Sequence, residues 1–221
     1  MKTTELFNLK ETLAAELLEN AEYPEGVLGE LRTFIERTGV SLDTKRYFEI
    51  SDGVWVARTA NIAPTAFIMP PCIIGERTEV RHCAYIRGAV LIGDDCVVGN
   101  SCEIKNSILF NKVQVPHFNY VGDSVLGFAS HLGAGAVTSN VKSDKSSVCV
   151  IRDGERISTG RRKLGAMVGD RVEIGCGAVL CPGAVVGRDS VVYPLSLVRG
   201  TVPAETVYKN NGESVSRVMD K

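Results

Sequence analysis

The chain of 221 residues is poor in aromatics (6%), with one tryptophan and only three histidines. It has no block of like charge: 25 Lys and Arg face 26 Asp and Glu, for a formal charge of −1. Without a basic stripe, neither nucleic acid nor an anionic membrane is the expected partner, and small molecules become the default class. No apolar run approaches the ~20 residues that span a bilayer, and the N-terminus lacks the apolar core of a secretory signal, so the sequence predicts a cytoplasmic protein. The seven cysteines form no CxxC pair. Cys72, Cys96, Cys102 and Cys181 fall where a repeat admits small side chains, which reads as reduced, packed thiols. A glycine-rich nucleotide-binding turn is also missing, and the repeat begins too early for a Rossmann-like domain, so no nucleotidyl transfer is expected of this polypeptide.

What the chain has in quantity is a period. Ile or Val returns every six residues at Val56, Ile62, Ile68, Ile74, Val80, Ile86, Ile92, Val98 and Ile104, with Phe110 in step. A second block resumes at Leu126, Leu132, Val168, Ile174, Leu180, Val186, Val192 and Val198. Turn formers follow the anchors, as in Ile74-Gly75-Glu76-Arg77 and Ile92-Gly93-Asp94-Asp95. A short fixed period with β-branched anchors predicts an all-β solenoid, a parallel β-helix of hexapeptide repeats whose coils stack at about 4.8 Å. An ordinary sandwich would show period two and irregular loops instead.

The flanks and breaks divide the chain. Leu6, Leu9, Leu13 and Leu17 predict an amphipathic helix over Thr4 to Asn20, and Val27, Leu28, Leu31, Phe34 and Ile35 predict a second, ending near Gly39. Residues 1–50 thus read as a helical hairpin, best placed as a cap on the open end of the solenoid. The β-helix covers 51–205, and 206–221 form a polar tail without period. The anchors slip by two residues between Phe110 and Leu126, which marks Pro116 to Asp123 as an irregular interruption of the stack. A second interruption, an arm at about 141–166 rich in Lys and Arg, is long enough to reach a neighbouring subunit.

Chemistry is expected where irregular backbone interrupts a rigid scaffold. His117-Phe118-Asn119-Tyr120-Val121-Gly122-Asp123, followed by Leu132-Gly133-Ala134-Gly135-Ala136-Val137-Thr138-Ser139-Asn140, resembles the acetyltransferase domain of the bifunctional N-acetylglucosamine-1-phosphate uridylyltransferases. Thr159-Gly160-Arg161-Arg162-Lys163-Leu164-Gly165-Ala166-Met167-Val168-Gly169-Asp170 is similar to the archaeal-type bifunctional sugar-1-phosphate nucleotidylyltransferases. The resemblance covers about residues 55 to 205. It implies a left-handed β-helix, a homotrimer and acetyl-coenzyme A as co-substrate bound between subunits. It further implies acetyl transfer to an aminosugar 1-phosphate of the glucosamine 1-phosphate type, toward UDP-N-acetylglucosamine.

Residue by residue, the resemblance implies His117 as general base and Arg87 and Lys105 on the sugar phosphate. Tyr120, His131, Asn140 and Lys163 would contact the acceptor, and Ala134, Cys176, Pro194 and Lys209 the coenzyme. His131 and Cys176 depart from the family's asparagine and serine, which puts the acceptor in doubt more than the reaction. The chemistry suits the residues: imidazole titrates near neutrality, and a guanidinium with an ammonium grips a phosphate. Arg161, Arg162 and Lys163 read equally as phosphate contacts or as a solvated run. Hexapeptide-repeat carbonic anhydrases hold zinc through three histidines, but His82, His117 and His131 are spaced wrongly for that, so no metal is expected. The competing reading is a catalytically silent trimeric module that assembles with a separate nucleotidyltransferase, or an acyltransferase for another aminosugar acceptor.

Overall fold

The computed structural model describes residues 1–152 and 154–218. The chain winds through three parallel sheets in turn, so each coil contributes one short strand to each sheet. This is the parallel β-helix that the six-residue period predicts. In the first sheet Val56, Ile74, Ile92, Leu109, Leu126, Val168, Val186 and Val202 stack in register. All of them are buried. Ile68, Ile86, Ile104, Val121, Thr138, Leu180 and Val198 do the same in the third sheet. Each buried Ile or Val is worth about 1.5–3 kcal/mol, and stacking lets a coil too small for its own core share one.

The register corrects the phase of the repeat. Ile92 pairs with Leu109, so Leu109 holds the column and Phe110 does not. Phe110 is fully buried beside Phe7, ring centroids 5.0 Å apart. The two-residue slip is two separate one-residue shortenings, from Ile104 to Leu109 and from Val121 to Leu126, both where the third sheet turns into the first. Pro116 to Asp123 is therefore no interruption: Gln114–His117 and Tyr120–Gly122 are ordinary strands joined by an ordinary corner.

The N-terminal region is not the expected hairpin of two helices on the solenoid's end. Thr4 to Asn20 is broken into Thr3–Leu6, a 3-10 turn at Leu9–Glu11 and Ala15–Glu19. The breaks have a local cause: the Asn8 side chain accepts from Lys10 N–H at 3.3 Å and Thr12 Oγ1 from Ala14 N–H at 3.1 Å, which diverts backbone from the helical ladder. The longest helix, Leu31–Val40, packs along the flank against Cys72–Ile74 and Val90–Ile92. The reason lies in the first sheet, whose outward positions Trp55, Ile73, Leu91, Ile108, Val125, Met167 and Val185 are apolar too. A sheet apolar on both faces needs a cover. Asp170 pins that cover in place, its carboxylate accepting from Asn8 N–H at 2.7 Å and Phe128 N–H at 2.9 Å. At the open end, Tyr47–Ser51 pairs antiparallel with Val54–Ala57 and covers the first sheet's edge.

The arm folds back on its own chain. Cys149–Arg152 and Glu155–Ser158 form an antiparallel hairpin. Val148, Val150 and Leu164 are buried, and Thr201 Oγ1 donates to Ile151 O at 2.9 Å. Arg152 pairs with Glu25 over the Tyr23 ring, and Arg161 donates to Gly26 O at 2.8 Å, so Arg161 ties the arm to the N-terminal segment. The polar tail has structure as well: Thr206–Tyr208 is a strand of the second sheet, and Ser214–Ser216 returns antiparallel to it. No helix among the described residues is long and apolar enough to cross a membrane.

Gly39, in the flanking helix, tests this packing. A Cβ there would lie 2.2 Å from the Trp55 ring. Alanine normally gains about 0.5–1 kcal/mol over glycine inside a helix, whereas overpacking a core costs typically about 1–3 kcal/mol. The clash wins, so Gly39→Ala is expected to lower the thermal midpoint and change the fluorescence of the chain's single tryptophan. A variant more stable than wild type contradicts the packing.

Candidate active site

The corner between the second and third sheets carries His117. Its neighbour Phe118 takes a left-handed φ of +52°, and the chain turns there without glycine. Such a conformation costs a non-glycine residue about 1–2 kcal/mol, so something must hold it. Asn119 does. Its side chain is buried; Oδ1 accepts from His117 N–H at 3.0 Å, while Nδ2 donates to Gly133 O at 2.8 Å and Ala136 O at 3.0 Å. The corner bearing His117 is thus clamped to the next coil, with the imidazole exposed.

Parallel register converts scattered residues into a line. His117 stacks on Asn100 below, and on Ala134, Cys176 and Pro194 in the coils above. Backbone bonds run the same ladder: Gly135 N–H to His117 O at 3.0 Å, Gly177 N–H to Ala134 O and Leu195 N–H to Cys176 O at 2.9 Å. All four of these residues are exposed. The predicted base and three of the four predicted coenzyme contacts therefore share one ridge, spaced about 4.8 Å per coil. Lys209 lies beyond its far end, its ammonium 3.2 Å from Glu213. His82 belongs to this ridge too, with Asn100 between it and His117 and donating to His82 O at 3.1 Å. Among the described residues no group of His, Cys, Asp or Glu is arranged to hold a metal.

A second cluster lies where the third sheet turns into the first. Arg87 and Lys105 occupy equivalent positions in adjacent coils, with Gly122 next. The Tyr120 hydroxyl folds over Gly122, where a Cβ would sit 2.5 Å from it and displace that side chain. Asn140 Nδ2 donates to that hydroxyl at 3.1 Å and also to Asp123. Burial, the largest influence on Tyr120, pushes its hydroxyl above the ordinary value, so it stays protonated near neutrality. Asp123 is 5% exposed and faces Lys105 at 3.6 Å; Arg87 pairs with Glu103 at 2.7 Å. The two cations are thus balanced by two carboxylates, and an incoming anion must compete with Glu103 and Asp123.

Arg87, Lys105, Tyr120 and Asn140 are therefore brought together. Lys163 is exposed, next to Leu164, whose N–H donates to Asn140 O at 3.0 Å. His131 stands apart from this cluster, at the other end of the strand that leads to Ala134, with Nδ1 2.8 Å from Glu173 Oε2. Sequence reasoning missed Asn119, Glu103 and Asp123 as parts of the site. For Asn119 a signal existed: its column otherwise reads Ala84, Cys102, Ala136, Ala178 and Ser196, and an amide among such small residues must bond to the backbone.

A hexapeptide-repeat β-helix with these two clusters defines a class of scaffold, and the chain is similar to several known proteins. Residues 68–159 match the family model described as the GMPPB C-terminal domain. The chain is 34% identical over 119 residues to the bifunctional sugar-1-phosphate nucleotidylyltransferase/acetyltransferase of Sulfurisphaera tokodaii, covering 54% of this chain and 30% of that protein. It is 28% identical over 191 residues to the bifunctional protein GlmU of Bifidobacterium longum subsp. infantis, covering 71% of this chain and 41% of that one. The chain thus spans well under half the length of these relatives. Among solved structures it is similar to PerB of Caulobacter crescentus in complex with CoA and GDP-perosamine (TM-score 0.42, 21% identity, 68% of this chain and 54% of that one). It is also similar to the polySia-specific acetyltransferase NeuO (TM-score 0.47, 13% identity, 73% and 82%).

Asn119→Ala strands the buried Ala136 carbonyl, leaves Gly133 O with Ala136 N–H alone, and removes the acceptor for His117 N–H. Each orphaned buried group costs about 1–3 kcal/mol, so denaturant unfolding is expected to show a loss of at least about 2 kcal/mol. A loss below about 0.5 kcal/mol would contradict the clamp.

Proposed function

We propose that the chain is an acetyl-coenzyme A-dependent N-acetyltransferase acting on an aminosugar 1-phosphate of the glucosamine 1-phosphate type. The observation that carries this reading is the ridge on which Pro194, Cys176 and Ala134 lead in one exposed line to the His117 imidazole. An extended thioester lying along such a line delivers its carbonyl to the base. His117 takes the proton from the acceptor nitrogen as the C–N bond forms and the C–S bond breaks, then passes that proton to the departing sulfur, which leaves as the free thiol. Arg87 and Lys105 hold the acceptor's phosphate by displacing Glu103 and Asp123, while Tyr120 and Asn140 orient the ring. The name of the Sulfurisphaera tokodaii relative, which pairs nucleotidylyl and acetyl transfer, supports an acetyl-transfer role for the matched region.

The outward face of the third sheet supports a homotrimer. Its outward column reads Phe67, Tyr85, Glu103, Tyr120, Val137, Val179 and Leu197, with Phe67 63% and Leu197 48% exposed. The first sheet's apolar outer face is covered by the chain's own helices, and the second sheet's outer column mixes the polar Asn61, Glu79, Gln114, His131 and Glu173 with Val97, Val191 and Val207. The third sheet's outer column, apolar or aromatic at every position but Glu103, is the more apolar of the two uncovered faces among the described residues, and it borders the His117 ridge.

Free-thiol release from acetyl-coenzyme A with glucosamine 1-phosphate tests the reading, wild type beside His117→Ala. A positioned base contributes about 100- to 10,000-fold, and a loss of that size with the fold retained is expected. Equal turnover in the variant removes His117 as base. No release with any of a panel of aminosugar phosphates, from folded protein, supports the silent module instead.

A further inference from the structure

One cleft belongs to neither cluster described above. It has a volume of about 710 Å³, within the usual range for small-molecule sites, and lies beneath the arm's hairpin. Its floor is the corner ladder that begins at Arg87 and Lys105: after Gly122 the same column continues through Ser139, Cys181 and Arg199. Its roof is one face of the hairpin. Ile151 pairs with Arg156, and alternation puts Cys149 on the same side, so all three line the cleft while Val150 turns inward to the core.

Among the described residues the lining of this cleft carries more cations than carboxylates. Lys142 lies 3.5 Å from Asp144, but Arg156 and Arg199 have no acidic partner within ion-pair distance among the described residues. The Arg87–Lys105 cluster, by contrast, is neutral. Two guanidiniums that line one cleft, Arg156 from its roof and Arg199 from its floor, beside the apolar Ile151, Val141 and Pro182, suit a phosphate attached to a less polar group. We propose that this cleft is a second binding site, separate from the acetyl-transfer site, for a small molecule bearing a phosphate monoester or diphosphate. Four coils at about 4.8 Å separate Arg199 from Lys105, about 19 Å along the ladder, too far for one phosphate to touch both.

Inorganic pyrophosphate is the probe, titrated calorimetrically into the full chain. Arg156→Gln with Arg199→Gln is expected to weaken binding about 10-fold or more, as loss of charge-assisted hydrogen bonds requires, while Arg87→Gln with Lys105→Gln changes it less than about 2-fold. Both arginines are exposed, so the double variant is expected to keep its circular dichroism and thermal midpoint. Pyrophosphate should also slow alkylation of Cys181, which lines this cleft, and leave that of Cys176 on the His117 ridge unchanged. Competition by glucosamine 1-phosphate, by coenzyme A or by neither identifies the phosphate's source as acceptor, donor or a third ligand. Absence of saturable binding overturns the proposal. So does binding that survives the Arg156/Arg199 variant and is lost in the Arg87/Lys105 variant.

Discussion

Everything in this molecule depends on parallel register. A strand slipped by one residue would turn its buried aliphatic side chain to solvent, so the inward columns tolerate no change of length along a strand. Length changes must fall at corners, and all of them fall at the same one. The steps from Ile104 to Leu109, Val121 to Leu126 and Val198 to Val202 are shorter than six residues, and the step from Thr138 to Val168 holds the whole arm. Each lies where the third sheet turns into the first.

That segregation divides the labour of the surface. The corner between the second and third sheets keeps constant length, and its unbroken stacking aligns His117 with Ala134, Cys176 and Pro194. A chemical step needs such fixed spacing, and the Asn119 clamp supplies it locally. The variable corner instead gathers the cations: Arg87 and Lys105 in the early coils, Arg199 and the arm's Arg156 later. Neutralised cations at one end and unpaired ones at the other give a single ladder two different electrostatic characters.

The solenoid was legible because its period is carried by the residues that build it, and the His117 motif was legible because corner and strand residues are contiguous in sequence. Phase was harder. Phe110 sits six residues past Ile104 and is apolar, so sequence alone assigned it to the column; only pairing with Ile92 reveals that Leu109 holds the place and Phe110 serves the N-terminal cover. The flank position of the helices was in principle readable. Apolar doublets at Ile73-Ile74, Leu91-Ile92, Ile108-Leu109, Val125-Leu126, Met167-Val168 and Val185-Val186 recur once per coil and mark a sheet apolar on both sides. The break-up of the first helix follows from Asn8 and Thr12 capturing nearby backbone, a competition that the spacing of leucines does not report. The cleft under the hairpin was not legible at all, since it joins Arg156 to Arg199 through a fold-back that the arm's composition does not encode.

The most direct test of the account is a crystal structure of the chain with coenzyme A. The account predicts the pantetheine chain running along Pro194, Cys176 and Ala134, with its sulfur beside the His117 imidazole. Coenzyme bound elsewhere, with its sulfur remote from His117, would contradict the assignment of that ridge as the site of acetyl transfer.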